Sequence, residues 1–356
     1  MSVLELTREL VAIPSHDDET AAGDRLEGWL RAETDADVDR DGAGNVIARK
    51  GEGESLALVG HHDVVAPDEG QLDGREYLLE EREGRLYGRG TADMKGAVAA
   101  AALAFRDAEP AGELVFASFV GEEVGGVGAR HAIDAGFAPE YAVVGEGSTN
   151  YSGPDVTDVV VAHKGRRGST ITASGVAAHA SEPEAGENAI YRAADAVDAV
   201  RGIDAPAVEV AGERLEGSLA VTEIEGGTAM NVIPERCTIT VDERTVPGER
   251  APLERVADAD GVAWTVTQDL PPMECADDAF ADAVLSAAAA GQDSSPTLTT
   301  KPHATDAGWL AGAGTACVVC GPAEPGEAHT ADESVSIEVL ERCYRIYRTV
   351  AETWPA

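Results

Sequence analysis

The chain has 356 residues, with 65 acidic residues against 27 basic ones and a formal net charge of −38. This length is more typical of two domains than of a single hydrophobic core. Nucleic acid and anionic membrane surfaces attract proteins with a basic face, so neither is expected as a partner. We interpret the charge as the solvated surface of a protein from a high-salt cytoplasm, where ions screen its self-repulsion.

The amino-terminal residues, MSVLELTREL, show no basic segment followed by a long apolar run, so no signal peptide is expected. No apolar stretch approaches the ~20 residues that a membrane span needs. The cysteines are few, odd in number and scattered, which predicts free thiols in the cytoplasm. Cys317 and Cys320 form a C-x-x-C pair, but they lie in an apolar strand without a second pair and are expected in the core.

Short apolar runs alternate with helical patterns in the first part of the chain. The segments 56–60, 114–121, 141–147 and, much later, 315–322 predict buried strands. The segments 18–32 and 94–108 predict helices. Strands of this kind, separated by helices, indicate an α/β domain with a mostly parallel sheet that is covered on both faces.

The middle of the chain has a different pattern. Segments 168–175, 218–227, 235–245 and 261–270 predict strands, and 187–202 and 249–260 predict helices. In the first of these helices the predicted apolar stripe contains Ile190, Ala194, Val197 and Val200. The resulting order, β-α-β-β-α-β, is the ferredoxin-like arrangement. We therefore predict an inserted α+β domain over 165–270, within a catalytic domain formed by 1–164 and 271–356.

Acidic residues or histidines follow all four predicted buried strands. Ligands collect outside the carboxyl ends of strands in open α/β sheets, so these side chains predict a site. They are His61, His62 and Asp63, then Glu122 and Glu123, then Glu146, and finally His329. His62 is the better candidate for a bystander, because neighbouring side chains on an extended segment face opposite ways.

Two histidines and several carboxylates that converge would suit a pair of divalent ions. Zinc accepts both ligand types, and ions about 3.5–4 Å apart are a known hydrolytic arrangement. The adjacent pair Glu122 and Glu123 then has an explanation, because one can bind metal while the other handles a proton. The simpler interpretations are a surface acid for Glu122, a surface histidine for His61 and a helix N-cap for Asp93.

The chain resembles the family of two-metal amidohydrolases that includes acetylornithine deacetylase, succinyl-diaminopimelate desuccinylase and aminoacylase. The resemblance covers nearly the whole chain and keeps the family's order. Its motifs are VGHHDVV, LYGRGTADMKGAVAA, GEEVGG, VGEGS, GVAAHASEPEAGENAI, GGTAMNVIPE, DERTVPGE and AHTADESV.

The resemblance implies a role for each matching residue. His61 and Glu146 would hold one metal, Glu123 and His329 the other, and Asp93 would bridge them. Glu122 would be the general base and would pass the proton to the leaving amine. Asp63 would hydrogen-bond His61 and orient it.

The inserted domain would pair two subunits in a homodimer. His179, reaching across from the partner subunit, would help to bind the tetrahedral oxyanion. Asn231 and Arg244 would hold the carboxylate end of the substrate, a role that suits the planar fork of arginine. A purely structural role for His179 and Arg244 stays open.

The resemblance implies a cytoplasmic enzyme of amino-acid biosynthesis that removes an acyl group from an N-acyl amino acid. Succinyl-diaminopimelate desuccinylase and acetylornithine deacetylase are the leading identities, with two divalent ions, zinc first and cobalt or manganese as substitutes. One departure is KPHATDAGW at 301–309, where a double-glycine, Thr-Ser-Asp stretch is expected, and the role of His303 stays open. The alternatives are a carrier-linked amino-acid hydrolase, an aminoacylase, a small exopeptidase or, remotely, a non-catalytic binding relative.

Overall fold

The computed structural model describes residues 1–74 and 76–355. Within these residues the chain divides into two compact units. The first contains Met1–Ala162, Met273–Lys301 and the described residues from Thr305 onward. The second contains His163–Pro272, together with the short stretch Pro302–Ala304. Its long segment begins two residues before the predicted insertion, 165–270, and ends two residues after it.

The described chain contains both helices and strands. The helices are α1 (Val3–Val11), α2 (Thr20–Glu33), α3 (Gly96–Asp107), α4 (Val127–Asp134), α5 (Ala189–Arg201), α6 (Asp278–Ala290), α7 (Asp306–Gly312) and α8 (Ile337–Thr353). Short 3₁₀ turns cover Glu69–Gln71, Pro183–Ala185 and Leu253–Asp258, and a wider turn covers Thr91–Lys95.

The strands belong to several sheets. In chain order they are β1 (Asp37–Arg40), β2 (Val46–Lys50), β3 (Ser55–His61), β4 (Leu72–Asp73), β5 (Glu76–Tyr77), β6 (Glu80–Arg82), β7 (Arg85–Tyr87), β8 (Glu113–Phe119), β9 (Tyr141–Val144), β10 (Val159–His163), β11 (Gly165–Ser174), β12 (Ala178–His179), β13 (Ala207–Val210), β14 (Glu213–Glu216), β15 (Ser218–Gly226), β16 (Val232–Ile233), β17 (Arg236–Thr245), β18 (Val262–Leu270), β19 (Met273–Glu274), β20 (Leu298–Lys301), β21 (Ala316–Val319) and β22 (Ser334–Ser336).

The first unit is built around one large sheet in the order β1-β2-β8-β3-β9-β21-β10-β19. Its centre, β8-β3-β9-β21, is parallel and consists of the strands predicted from the apolar runs. Every residue of β3 is buried, as a parallel strand covered on both faces requires. On one face, Ala57 and Val59 join a core cluster with residues of α4 and α7, and α3 packs against α1 and α8. The predicted α/β class with a mostly parallel sheet is confirmed.

The second unit contains an antiparallel sheet in the order β15-β17-β11-β18, covered by α5. Two local predictions were wrong. The second predicted helix is only the 3₁₀ turn Leu253–Asp258, because Pro252 stands inside the predicted segment and fixes its start. The buried face of α5 carries Ala189, Ala193, Ala196 and Val200. Ile190 is therefore exposed, since the small alanines turn toward the sheet in its place.

Two further predictions concerned membrane-spanning segments and the Cys317–Cys320 pair. No helix in the described ranges 1–74 and 76–355 is both long and apolar enough to cross a membrane. Cys317 and Cys320 are buried, and burial raises the pKa of both thiols, that of Cys320 to about 12. Neither thiol therefore has the character of a reactive or metal-binding group.

Candidate metal centre

The site lies at the carboxyl edge of the central parallel strands. Because β8, β3 and β9 are neighbours and run in the same direction, the residues that follow them meet at one edge. His61 ends β3, Glu122 and Glu123 follow β8, and Glu146 follows β9. Asp93 comes from the wide turn before α3, and α3 begins after Lys95, so Asp93 is not its capping residue.

The geometry brings all five predicted ligands together. Asp93 Oδ1 lies 3.1 Å from His61 Nε2, and Asp93 Oδ2 lies 3.1 Å from His329 Nε2. On one side, Glu146 Oε1 is 3.5 Å from His61 Nε2. On the other side, Glu123 Oε1 is 3.0 Å from His329 Nε2. The Asp93 carboxylate thus stands between two pairs, each of one histidine and one glutamate.

The electrostatics of this cluster favour a cation. Hydrogen bonds to Asp93 and Glu123 raise the pKa of His329 to about 10. Burial alone would lower the pKa of His61, but its carboxylate neighbours, Asp63 first, raise it well above the usual value. The carboxylates therefore favour positive charge at both imidazoles. Imidazole nitrogens and carboxylate oxygens are also the donors that zinc and similar divalent ions accept, so the residues fit such ions. The ligand atoms of His61, Asp93 and Glu123 all lie within 4.8 Å of one another.

Asp63 connects the two strand ends. Its Oδ1 lies 3.3 Å from His61 Nδ1, on the side of the ring opposite the Asp93 contact. The same carboxylate accepts hydrogen bonds from the backbone N–H groups of Glu122, at 3.2 Å, and Glu123, at 3.0 Å. Asp63 is buried. The Asp63 backbone oxygen lies 3.1 Å from the same His61 Nδ1. One residue therefore orients a histidine and, through its carboxylate, fixes the turn that carries both glutamates.

The two adjacent glutamates are placed differently. Glu123 contacts His329, whereas the Glu122 carboxylate makes no hydrogen bond or ion pair with any described residue. Burial raises the pKa of Glu122 well above the usual range for a glutamate, and the negative charge of Asp306 adds to the effect, although His61 opposes it. A raised pKa is the property expected of a carboxylate that accepts a proton and passes it on.

Two neighbouring groups were missed from the sequence. Lys301 Nζ donates to Glu146 Oε2 at 3.1 Å, and Glu146, despite the opposite effect of burial, has its pKa lowered by this charge. Neither oxygen of the buried Asp306 has a hydrogen-bond partner within the described chain, and burial raises its pKa to about 7. The scarcity of lysine, only four in the chain, was the one signal that could have singled out Lys301.

The remaining candidates lie away from the metal ligands or in the second unit. His62 is buried and its Nδ1 contacts Ser118 Oγ at 2.9 Å, so it faces away from Asp93 as alternation predicts. In the second unit, β12 pairs with β16, which sets His179 next to Asn231. Arg244, on β17, donates through Nε to Asp242 Oδ1 at 2.8 Å.

Comparison with known proteins decides the family. A model described as Peptidase family M20/M25/M40 matches residues 57–353. The chain belongs to this family. Among its curated relatives, acetylornithine deacetylase of Myxococcus xanthus is 32% identical, covering 84% of this chain and 81% of its own. Succinyl-diaminopimelate desuccinylase of Bordetella avium is 29% identical, covering 99% of this chain and 98% of its own.

The solved structures support the fold of this M20 amidohydrolase. Aminopeptidase PepT from Bacillus cereus superposes with a TM-score of 0.81 at 22% identity, covering 98% of this chain and 97% of its own. A metallo-carboxypeptidase from Sulfolobus solfataricus does so with a TM-score of 0.77 at 14% identity, covering 100% and 99%. The family resemblance predicted from the motifs is confirmed.

Proposed function

We propose that this M20 hydrolase is a two-metal enzyme that removes the acyl group from an N-acyl amino acid. The observation that carries the proposal is the Asp93 carboxylate, whose two oxygens approach two different histidines, His61 and His329, at 3.1 Å each. A carboxylate in this position suits a bridge between two ions, with Glu146 completing one side and Glu123 the other.

The ions we propose are zinc, with cobalt and manganese as substitutes. When bound, such ions would polarise the carbonyl group of the substrate and lower the pKa of water. Lys301 reduces the negative charge around the proposed ions, because its Nζ already donates a hydrogen bond to the second oxygen of Glu146. The residues proposed to hold them are His61, Asp93, Glu123, Glu146 and His329.

Glu122 is the proposed general base. In the reaction the water oxygen bonds to the carbonyl carbon, the amide C–N bond breaks, and Glu122 carries the proton of the water to the leaving nitrogen. Its raised pKa and its lack of a described partner support this role. Asp63 contributes by holding the backbone of Glu122 and the imidazole of His61 at the same time.

We propose that Asn231 and Arg244 bind the carboxylate end of the substrate. Asp242 accepts from Arg244 Nε at 2.8 Å and from Arg166 Nε at 2.7 Å, and the two arginines are opposite each other in the sheet register. Two guanidinium groups that share one carboxylate retain positive charge, which is rare on so acidic a chain. The guanidinium group of Arg244 could therefore bind a substrate carboxylate through two hydrogen bonds.

We also propose a homodimer formed through the second unit, with His179 reaching the oxyanion of the partner's substrate. β15 is the edge strand of its sheet and Ile224 on it is 53% exposed. Tyr191 on α5 is 70% exposed and Met230 is fully exposed. A second copy of the chain would cover this edge and its apolar residues, which a monomer would leave in water.

For the acyl group we propose succinyl ahead of acetyl. The curated relatives are named acetylornithine deacetylase and succinyl-diaminopimelate desuccinylase, and the second covers 99% of this chain. We give the desuccinylase a slight preference, although KPHATDAGW departs from the stretch expected there. We also propose that the protein works in a high-salt cytoplasm, because its net charge is −38.

The test is turnover on N-succinyl, N-acetyl and dipeptide substrates in molar salt, with zinc, cobalt or manganese added to metal-free protein. The proposal expects hydrolysis of an N-acyl amino acid that chelation abolishes and that zinc or cobalt restores. Glu140→Gln, at the opposite end of the sheet and bonded to Ser55, serves as the control that keeps activity. Full activity in rigorously metal-free protein refutes the mechanism, and turnover of dipeptides alone refutes the acyl assignment.

A further inference from the structure

Glu333 is a buried carboxylate that holds the backbone next to Asp93. Its Oε1 accepts hydrogen bonds from the N–H groups of Gly90 at 2.9 Å, Ala92 at 3.0 Å and Asp93 at 3.1 Å. Its Oε2 accepts from Arg89 Nη1 at 2.6 Å. The Glu333 side chain is 0% exposed and that of Arg89 is 2% exposed. Three N–H groups that converge on one oxygen form an anion-binding concavity, and the chain fills it with its own carboxylate.

This concavity shapes the segment from which Asp93 projects. Gly90 has a φ of +85°, and Asp93 has an extended φ of −126° within the wide turn. Without an acceptor, these buried N–H groups would be left without a hydrogen bond, which is unfavourable, so the turn would rearrange. The Asp93 N–H is itself one of the three donors, so a rearrangement would move the carboxylate that stands between His61 and His329.

We propose that Glu333 is a positioning residue for the metal pair, which fixes the Gly90–Asp93 turn so that both oxygens of Asp93 are in place before an ion binds. The inference rests on the proposed two-metal function and adds to it a residue that touches neither ion nor substrate. Glu333 lies 240 positions after Asp93 in the chain. The C-terminal part of the chain, which also supplies His329, therefore sets the position of Asp93.

The test compares Glu333→Gln with a matched variant, Glu243→Gln. Glutamine at 333 turns its NH₂ group either toward the backbone donors or toward Arg89, so one set of contacts is lost. Glu243 is also buried, pairs with Arg167 and accepts the Ala251 N–H at 3.2 Å, but its unit contains none of the proposed metal ligands. A purely structural role would therefore lower the unfolding midpoint of both variants to a similar degree.

The readout is the affinity for zinc, measured by chelator competition under conditions where both variants are folded. We expect Glu333→Gln to bind zinc about 10–100-fold more weakly, the usual effect of removing a partner of a metal ligand, with Glu243→Gln unchanged. Equal zinc affinity in Glu333→Gln and the wild type overturns this inference alone. Wild-type protein that binds no divalent ion overturns the proposed function as well.

A second measurement needs no variant and applies if Glu333→Gln does not fold. Amide hydrogen exchange on the metal-free wild type should find the N–H groups of Gly90, Ala92 and Asp93 protected, and zinc should change their protection less than tenfold. If these N–H groups exchange freely in metal-free protein and become protected only with zinc, the ions organise the turn and the inference is refuted.

Discussion

Replacement of Asp63 by asparagine tests the residue on which the histidine and both glutamates depend. The Asp63 carboxylate meets three donors: the N–H groups of Glu122 and Glu123, and Nδ1 of His61 at 3.3 Å. Oδ1 faces Glu122 and His61, and Oδ2 faces Glu123. Asparagine preserves the shape but offers one acceptor, so its NH₂ group opposes a donor whichever way it turns.

The size of the effect follows from these contacts. One buried N–H loses its acceptor, at about 1–3 kcal/mol. The remaining two bonds lose the charge of their acceptor, roughly 1 kcal/mol each. We therefore expect Asp63→Asn to lower the free energy of unfolding by about 3–5 kcal/mol. Because His61 and the glutamate turn lose their common anchor, we also expect zinc affinity and kcat to fall by about 10–100-fold.

Urea unfolding of metal-free protein, zinc competition and kcat measure these effects. Asp158→Asn is the matched control, since the buried Asp158 carboxylate accepts the Ser152 N–H on one oxygen and the Thr297 N–H on the other. It should lose comparable stability while zinc affinity and kcat stay within threefold. Wild-type zinc affinity and kcat in Asp63→Asn would refute the reasoning, as would equal losses of zinc affinity in both variants.

Four further outcomes are expected. Glu122→Gln should keep both metal ions while kcat falls by about 10²–10⁴ with KM little changed, whereas Glu123→Gln should lose metal in elemental analysis and recover partly when metal is added. The reverse pattern would exchange the two roles. Mixing inactive His179→Ala with inactive Glu122→Ala should restore some activity once subunits exchange, and none despite proven exchange contradicts a role across the dimer. Asp306 has a folded pKa of about 7 against about 3.9 unfolded, so the stability of metal-free wild type should fall as pH rises from 4 to 7, at roughly 1.4 kcal/mol per pH unit, and Asp306→Asn should flatten that slope. Unfolding midpoints should rise steeply toward molar salt, and equal stability in dilute buffer would contradict the high-salt interpretation.

Much of the site followed from local pattern. Apolar runs marked the strands, and the parallel order of β8, β3 and β9 necessarily brings the residues after them to one edge. His61, Glu122 and Glu146 could therefore be grouped from the sequence. His329 comes after the last predicted strand, β21, and was grouped with them for that reason. Asp93 follows no strand end of the central sheet, and the motifs pointed to its role.

The supporting contacts could not be found in the same way. Lys301 reaches Glu146 across 155 positions, and Glu333 reaches Asp93 across 240. Lys301 is marked only by the scarcity of lysine, and Glu333 is not marked at all, because a glutamate in so acidic a chain resembles any solvated surface acid. The predicted buried face of α5 was wrong for a related reason. Alanines pack closer to a sheet than isoleucine does, so the buried face of that helix followed volume and not hydrophobicity.

The adjacency of Glu122 and Glu123 now has a physical explanation in charge balance. Their backbone N–H groups are fixed by a third carboxylate, Asp63, so the turn concentrates negative charge instead of dispersing it. Lysine and two histidines supply the positive charge among the described neighbours, and even with both imidazoles protonated they fall well short of the carboxylates. Burial raises the pKa of Glu122 and this deficit of positive charge adds to the effect, while hydrogen bonds to Asp93 and Glu123 raise the pKa of His329. Two divalent ions would remove it and release His61 and His329 as neutral ligands. The carboxyl groups concerned are Asp63, Asp93, Glu122, Glu123, Glu146 and Asp306.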